Sequence, residues 1–186
     1  MARWASVWVW AGMSAALLIP IPNAGAAPAV PDVDSLIDDS GPLPGSVGDL
    51  QKVSSLVFAT DSGLVCKMWN GRITHDISCT GNIPGSPPDA GSVELPGIYG
   101  KGSAPARFVE APPDALVAGT PPAAMLPVGH KIVFWNLSPI QSMVCGVPPS
   151  TELVCVLKEP QQAGGAVGGP VATHGFVIAA PQSWVF

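Results

Sequence analysis

Short runs of apolar and β-branched residues, separated by glycine- and proline-rich turns, predict that most of this chain folds as β-strands. Three runs follow one another at Ser54–Thr60, Leu64–Trp69 and Arg72–Cys79, with turn signals at Asp61-Ser62-Gly63 and Asn70-Gly71 between them. After residue 26, no segment of ten or more residues has the apolar spacing of a helix. The pattern therefore predicts an all-β domain, a small sandwich or barrel of short strands.

The second half of the chain repeats this pattern. It predicts further strands at His130–Asn136, Ser142–Val147, Leu153–Lys158, Thr173–Ala180 and Ser183–Phe186, with shorter runs at 105–110 and 114–118. Residues 80–92 and 160–170 are rich in Gly, Pro and polar residues, and they are interpreted as loops.

The first 26 residues have the order of a secretory signal peptide. Arg3 precedes an uncharged apolar run from Trp4 to Ile21, and Ala24-Gly25-Ala26 supplies small residues before a cleavage site. We expect cleavage between Ala26 and Ala27, or one residue later. The alternative is a retained membrane anchor, because the run is about 18 residues long, near the lower limit for a span. No second run of that length follows, so the mature chain is predicted to have no membrane span.

Residues 27–53 are interpreted as a flexible arm rich in Pro, Gly and Asp, and residues 54–186 as the all-β domain. The arm contains four acidic residues, Asp32, Asp34, Asp38 and Asp39. They lack the glycine and the distal glutamate of an EF-hand calcium loop, which favours a solvated acidic segment over a calcium site.

The composition limits the class of partner. The chain of 186 residues contains eight basic and 13 acidic residues, which give it a formal net charge of −5. Only 11% of its residues are charged. An acidic, charge-poor chain is not typical of a nucleic-acid binder. With 21 Gly and 22 Pro, it is also not typical of a coiled coil.

Four cysteines follow the signal segment, at Cys66, Cys79, Cys145 and Cys155. An even number in an exported chain predicts two disulfides. Each local pair flanks one predicted hairpin, which favours Cys66–Cys79 and Cys145–Cys155 over pairings between the two halves. The order Phe58…Cys66…Cys79 is echoed by Phe134…Cys145…Cys155, which predicts two similar hairpin units.

The segment Phe58–Met68, with Cys79 after it, resembles the F-x-S-P-S-G-N-I-x-C-x-M opening of small, uncharacterised secreted proteins of actinobacteria, especially mycobacteria. The later segments Leu126–His130 and His174–Ile178, with a cysteine pair between them, are similar to the second half of such proteins. This chain has Thr60-Asp61 in place of Ser-Pro and Leu64 in place of Asn. The resemblance covers about residues 56–186 and implies a secreted or envelope-exposed domain, with no catalytic residues to transfer.

Candidate chemistry is sparse. The three histidines, His75, His130 and His174, have none of the spacings of a zinc site, and the G-x-S-x-G pattern of a serine hydrolase is absent. We therefore expect no metal and no cofactor. The predicted function is a non-catalytic envelope or extracellular binding module, with Trp184, His174 and His130 as candidates for its binding surface. The alternative is an envelope-acting hydrolase that uses a histidine as general base.

Overall fold

The computed structural model describes residues 28–40, 55–71, 74–98, 104–110, 124–137, 141–161 and 170–186. The predicted signal segment 1–26, part of the arm at 41–53 and the predicted strand 114–118 lie outside these residues. Within them there are strands, turns and loops and no helix, so the described part contains no helix able to cross a membrane.

Twelve strands make up the described fold. In chain order they are β1 (Ile37–Asp38), β2 (Ser55–Thr60), β3 (Val65–Asn70), β4 (Thr74–Thr80), β5 (Ser92–Ile98), β6 (Arg107–Val109), β7 (Ala124–Leu126), β8 (His130–Leu137), β9 (Gln141–Gly146), β10 (Leu153–Pro160), β11 (Val171–Ile178) and β12 (Trp184–Val185).

These strands form two six-stranded sheets packed as a sandwich, which confirms the predicted fold class. Sheet A has the order β1-β8-β9-β10-β11-β12, and sheet B has the order β6-β5-β4-β3-β2-β7. The inner faces of both sheets meet in one core, where the rings of Phe58 and Phe134 lie 5.8 Å apart. Alternate residues along each strand point into this core because side chains on a strand alternate between the two faces.

Both predicted disulfides are present, in the local pairing. Cys66–Cys79 joins β3 to β4 and Cys145–Cys155 joins β9 to β10, each between residues directly opposite one another. All four cysteines are buried, and they belong to the shared core. Each bridge therefore fastens the two central strands of its sheet from the inside.

The two sheets have the same topology, which extends the predicted repeat. Strands β2–β6 form one five-stranded antiparallel meander and strands β8–β12 form the other. Strand β7, which leads into the second meander, pairs in parallel with β2, and β1, which precedes the first meander, pairs in parallel with β8. The two halves thus exchange their leading strands.

Phe58 and Phe134 do not occupy equivalent positions in the two hairpin units. Phe58 lies opposite Cys66, whereas the residue opposite Cys145 is Ile132. Phe134 lies two residues further along the same face, and β8 has an irregularity between Val133 and Trp135. The β8–β9 hairpin is also longer, since Cys145 follows Ile132 by 13 residues whereas Cys66 follows Phe58 by 8.

The predicted arm is part of the fold over residues 28–40. Its Val33 is 6% exposed and packs on the outer face of sheet A, among Val144, Val154 and Val177. Strand β1 then adds to the edge of the same sheet, with Ile37 opposite His130. Apolar side chains on the outer face of sheet A require a cover, and this segment provides it.

The acidic residues of the arm make protein contacts. The Lys131 ammonium donates to the Asp34 carbonyl at 2.6 Å, and Lys158 Nζ lies 3.3 Å from Asp34 Oδ2. Asp32 and Asp38 accept hydrogen bonds from the backbone amides of Asp34 and Ser40. No group of three or more residues able to hold a metal ion occurs in the described ranges.

Candidate functional site

A pocket of about 500 Å³ lies where the N-terminal arm meets two loops of sheet A. One loop connects β9 to β10, and the other connects β11 to β12. The lining residues are Pro28, Ala29, Pro31, Ser150, Thr151, Ala179, Ala180, Pro181, Gln182 and Trp184. This volume is within the range of about 300–1,000 Å³ that is typical of sites for small ligands.

The loop between β11 and β12 is fixed on both sides. The Ser183 hydroxyl accepts a hydrogen bond from the Ala179 amide at 3.3 Å, and the Ser183 amide donates to the Pro84 carbonyl at 2.8 Å. Gly85 has a φ of +65°, and a Cβ there would lie 2.7 Å from the Cα of Gln182. Glycine at position 85 therefore allows the β4–β5 loop to approach this wall of the pocket closely.

The opposite wall is the start of the arm. Pro28, Ala29 and Pro31 precede the buried anchor Val33, and the backbone before β1 has no strand partner among the described residues. The half-buried Trp184 packs with Val33 and the other outer-face residues of sheet A. One wall is thus fastened to the sandwich by hydrogen bonds, while the other rests on apolar packing.

The lining of the pocket is uncharged and mostly apolar, with two polar atoms that stand out. The Oγ1 atom of Thr151 and the Nε1 atom of Trp184 are both buried, and neither has a hydrogen-bond partner within the described protein. A buried polar group without a partner costs about 1–3 kcal/mol, so native proteins contain few of them. Two such atoms on residues that line one pocket indicate a place where an outside group completes the bonding.

The chemistry of these two atoms limits what can bind. The indole Nε1–H is only a donor, whereas a threonine hydroxyl both donates and accepts. A charged ligand would be desolvated in this pocket without a counter-charge from its lining, which is unfavourable. The arrangement therefore fits a neutral, largely apolar group that carries a carbonyl-type oxygen.

The three residues predicted for a binding surface do not form one site. Trp184 lines the pocket, whereas His130 and His174 lie on β8 and β11. Two strands separate β8 from β11 in sheet A, and the register aligns His174 with Trp135, five residues along β8 from His130, so the two histidines are not neighbours. His174 lies opposite Leu157. It is three residues along β11 from Val177, which pairs with Trp184.

The contacts of His130 concern the arm. Its Nδ1 atom lies 2.6 Å from Asp39 Oδ2, within hydrogen-bond distance, at the edge formed by β1 and β8. The neighbouring Ser40 hydroxyl bonds to Asp38 and accepts a hydrogen bond from the Val133 amide at 2.7 Å. The serine and the histidine are thus each engaged with a different carboxylate, and this edge is not the arrangement of a catalytic triad.

His75 is a buried residue of the interior. It is 0% exposed, and the Gln141 side-chain amide nitrogen lies 3.0 Å from its Nε2, which joins sheet B to sheet A. The ring packs over Gly97, where any side chain would overlap it. Burial lowers the pKa of His75 to about 4, so the ring is neutral at pH 7 and accepts this bond from the amide.

His75 and the pocket lie at opposite ends of the sandwich. His75 lies at the start of β4, beside the β3–β4 turn, whereas the β4–β5 loop at the other end of β4 contacts the pocket wall. Burial, and secondarily Glu94, raises the pKa of Asp76, while Lys67 opposes that shift. Neither His75 nor Asp76 lines the pocket.

Sequence reasoning missed Thr151 and the 179–182 loop. No local pattern marks these residues, because the pocket forms only when three segments distant in sequence meet. The presence of Pro148-Pro149 and Pro181 beside predicted strands was the only available signal, since loops at strand ends are common binding positions. No protein-family model, curated protein or solved structure matches the chain.

Proposed function

We propose that this protein is an exported, non-catalytic binding module of the cell envelope or extracellular space. The observation that carries the proposal is the pair of buried polar atoms, Thr151 Oγ1 and Trp184 Nε1, on residues that line one uncharged pocket. The ligand is a neutral, mainly apolar group with an ester or amide oxygen, which accepts from the indole N–H and the threonine hydroxyl. Because both atoms are buried in the free protein, ligand binding requires the wall formed by Pro28, Ala29 and Pro31 to open enough to expose them.

Three features support the location. The two disulfides are compatible with an extracytoplasmic protein, because disulfides persist in oxidising compartments. The segment 1–26 has the order of a signal peptide, and the chain resembles small secreted actinobacterial proteins. The hydrolase alternative has less support, since His130 contacts Asp39 of the arm and does not line the pocket.

A matched series of small ligands tests the proposal. N-butylacetamide and butyl acetate should bind and raise the melting temperature, whereas hexanoate and hexylamine, of similar length, should do neither. Thr151→Val should weaken amide binding by about tenfold, the equivalent of one hydrogen bond. The same substitution should raise the free energy of unfolding of the free protein by about 1 kcal/mol, because it removes a buried hydroxyl without a partner.

The matched control is Thr173→Val, the same substitution at an exposed position of β11 outside the pocket lining, which should change neither quantity. Calorimetric titration and urea unfolding measure the two effects. A Thr151→Val protein that is less stable than wild type and binds the amide equally well would contradict the proposal. Tighter binding of the charged ligands would contradict it as well.

A further inference from the structure

A tryptophan on a central strand is exposed on the outer face of sheet B. Trp69 lies on β3, which has β4 on one side and β2 on the other, and it is 45% exposed. Its indole nitrogen would lie 3.2 Å from a Cβ at position 71, so Gly71 leaves room for the indole against the β3–β4 turn. The corresponding outer face of sheet A is covered by the arm around Val33.

Hydrogen-bonding groups of both kinds surround this indole. Lys67, two residues away on the same face, places its ammonium 6.0 Å from the ring centroid. Asp76 lies directly opposite Trp69 on β4, with Pro96 beside it on β5. A cation at 6.0 Å is at the outer limit of a cation–π contact, so a stacked ligand can displace it at little cost.

A second carboxylate completes the surface. Glu94 lies opposite Ser78 on the neighbouring strand, and the Arg107 guanidinium donates to it at 3.0 Å. The two carboxylates are diagonal neighbours on adjacent strands, since Glu94 lies opposite Ser78 and Asp76 lies opposite Pro96. The face therefore combines one flat apolar ring with an ammonium, two carboxylates and a hydroxyl.

We propose that this face, centred on Trp69 and bordered by Lys67, Asp76 and Glu94, binds a neutral carbohydrate chain. A sugar ring has an apolar C–H face that stacks on an aromatic ring, and hydroxyls at its rim that both donate and accept hydrogen bonds. Carboxylates accept from two hydroxyls, and an ammonium donates to others. The face supplies a flat ring, a donor and acceptors that match this pattern, and Glu94 also accepts from Arg107.

Other classes of partner fit less well. A stable protein interface buries about 800 Å² on each side around an apolar centre, whereas the neighbours of Trp69 include Lys67, Asp76 and Ser55. Nucleic acids and anionic polysaccharides would meet the carboxylates of Asp76 and Glu94 on a chain with a net charge of −5. The occupant that remains is an uncharged polymer of sugars.

Affinity electrophoresis of the folded protein in gels with soluble glucan, mannan, galactan or xylan tests the proposal. At least one of these neutral polysaccharides should retard the wild type, whereas pectate and hyaluronan should not. Trp69→Ala should weaken binding by tenfold or more, and Asp76→Asn should weaken it less. Trp69→Phe, which keeps an aromatic ring, should retain part of the affinity.

Trp184→Phe is the control, because it changes the pocket and leaves this face intact, so its retardation should equal that of wild type. This separates the carbohydrate site from the proposed pocket function. Far-ultraviolet circular dichroism and the melting temperature establish that each variant is folded. The proposal is overturned if none of the four neutral polysaccharides retards the wild type, or if Trp69→Ala is retarded to the same extent.

Discussion

Replacing all four cysteines by alanine is expected to lower the free energy of unfolding by about 6 kcal/mol at 25 °C. The bridges close loops of 13 and 10 residues between central strands of the two sheets. In the chain-entropy model, each loop of this size contributes about 3 kcal/mol. Their sum is comparable to the total stability of about 5–15 kcal/mol that is usual for a domain.

The comparison that makes this result informative uses the two pairs separately. Cys66→Ala with Cys79→Ala, and Cys145→Ala with Cys155→Ala, should each cost about 3 kcal/mol in urea unfolding. Each pair fastens a different sheet, so the two losses should be nearly additive. A four-alanine protein with wild-type stability would show that the sandwich does not depend on its bridges.

Lowering the pH from 6.5 to 4 is expected to remove about 3 kcal/mol of stability through His75 alone. Burial lowers the pKa of His75 to about 4 in the folded protein, against a value of 6.5 without burial. Between these values the unfolded chain binds a proton that the folded protein excludes, so acid favours unfolding. The contribution is complete above pH 6.5 and is lost as the pH falls towards 4.

His75→Gln provides the comparison, since glutamine keeps hydrogen-bonding capacity beside Gln141 and does not titrate. Urea unfolding at several pH values measures the stability lost between about pH 6.5 and pH 4. This loss should be about 3 kcal/mol smaller for the variant than for the wild type. The raised pKa of Asp76 acts in the opposite direction in both proteins, so it cancels in the comparison. Equal slopes for the two proteins would mean that His75 is not held neutral by burial.

The hairpins of both meanders could be predicted from sequence because their signals are local. Alternating apolar residues, the Asn70-Gly71 turn and the cysteine pairs were enough to place β2–β4 and the disulfides. Strand β5 was missed because Pro96 and Gly97 indicate a turn. The structure accommodates Pro96 because β6 pairs only with Ser92–Glu94. The pairing between β5 and β6 has therefore ended before residue 96.

Strands β1 and β7 could not be predicted, because their partners determine them. Each is two or three residues long and exists only through parallel pairing with a strand of the other half. The candidate site shows the same limit. Trp184 was recognisable in the sequence as an aromatic residue near a chain end. Thr151 became a candidate only in the structure, where it lines the same pocket as Trp184 and its hydroxyl has no partner within the described protein.

The burial of His75 also required the structure. In sequence it is a histidine beside Asp76 on a predicted strand, which places the two side chains on opposite faces. Which face is interior depends on the register of all six strands of sheet B. The same alternation leaves Trp69 and Asp76 on the outer face, so one register determines both the buried histidine and the exposed tryptophan surface.

The most direct test of the pocket is a ¹H–¹⁵N NMR titration of the labelled protein with N-butylacetamide. The indole N–H signal of Trp184, assigned with the Trp184→Phe variant, should move downfield as it donates to the ligand oxygen. The backbone amides of Thr151, Ala179 and Gln182 should move with it, whereas the Trp69 indole should not. An unmoved Trp184 indole, with shifts located elsewhere, would contradict the assignment of this pocket as the binding site.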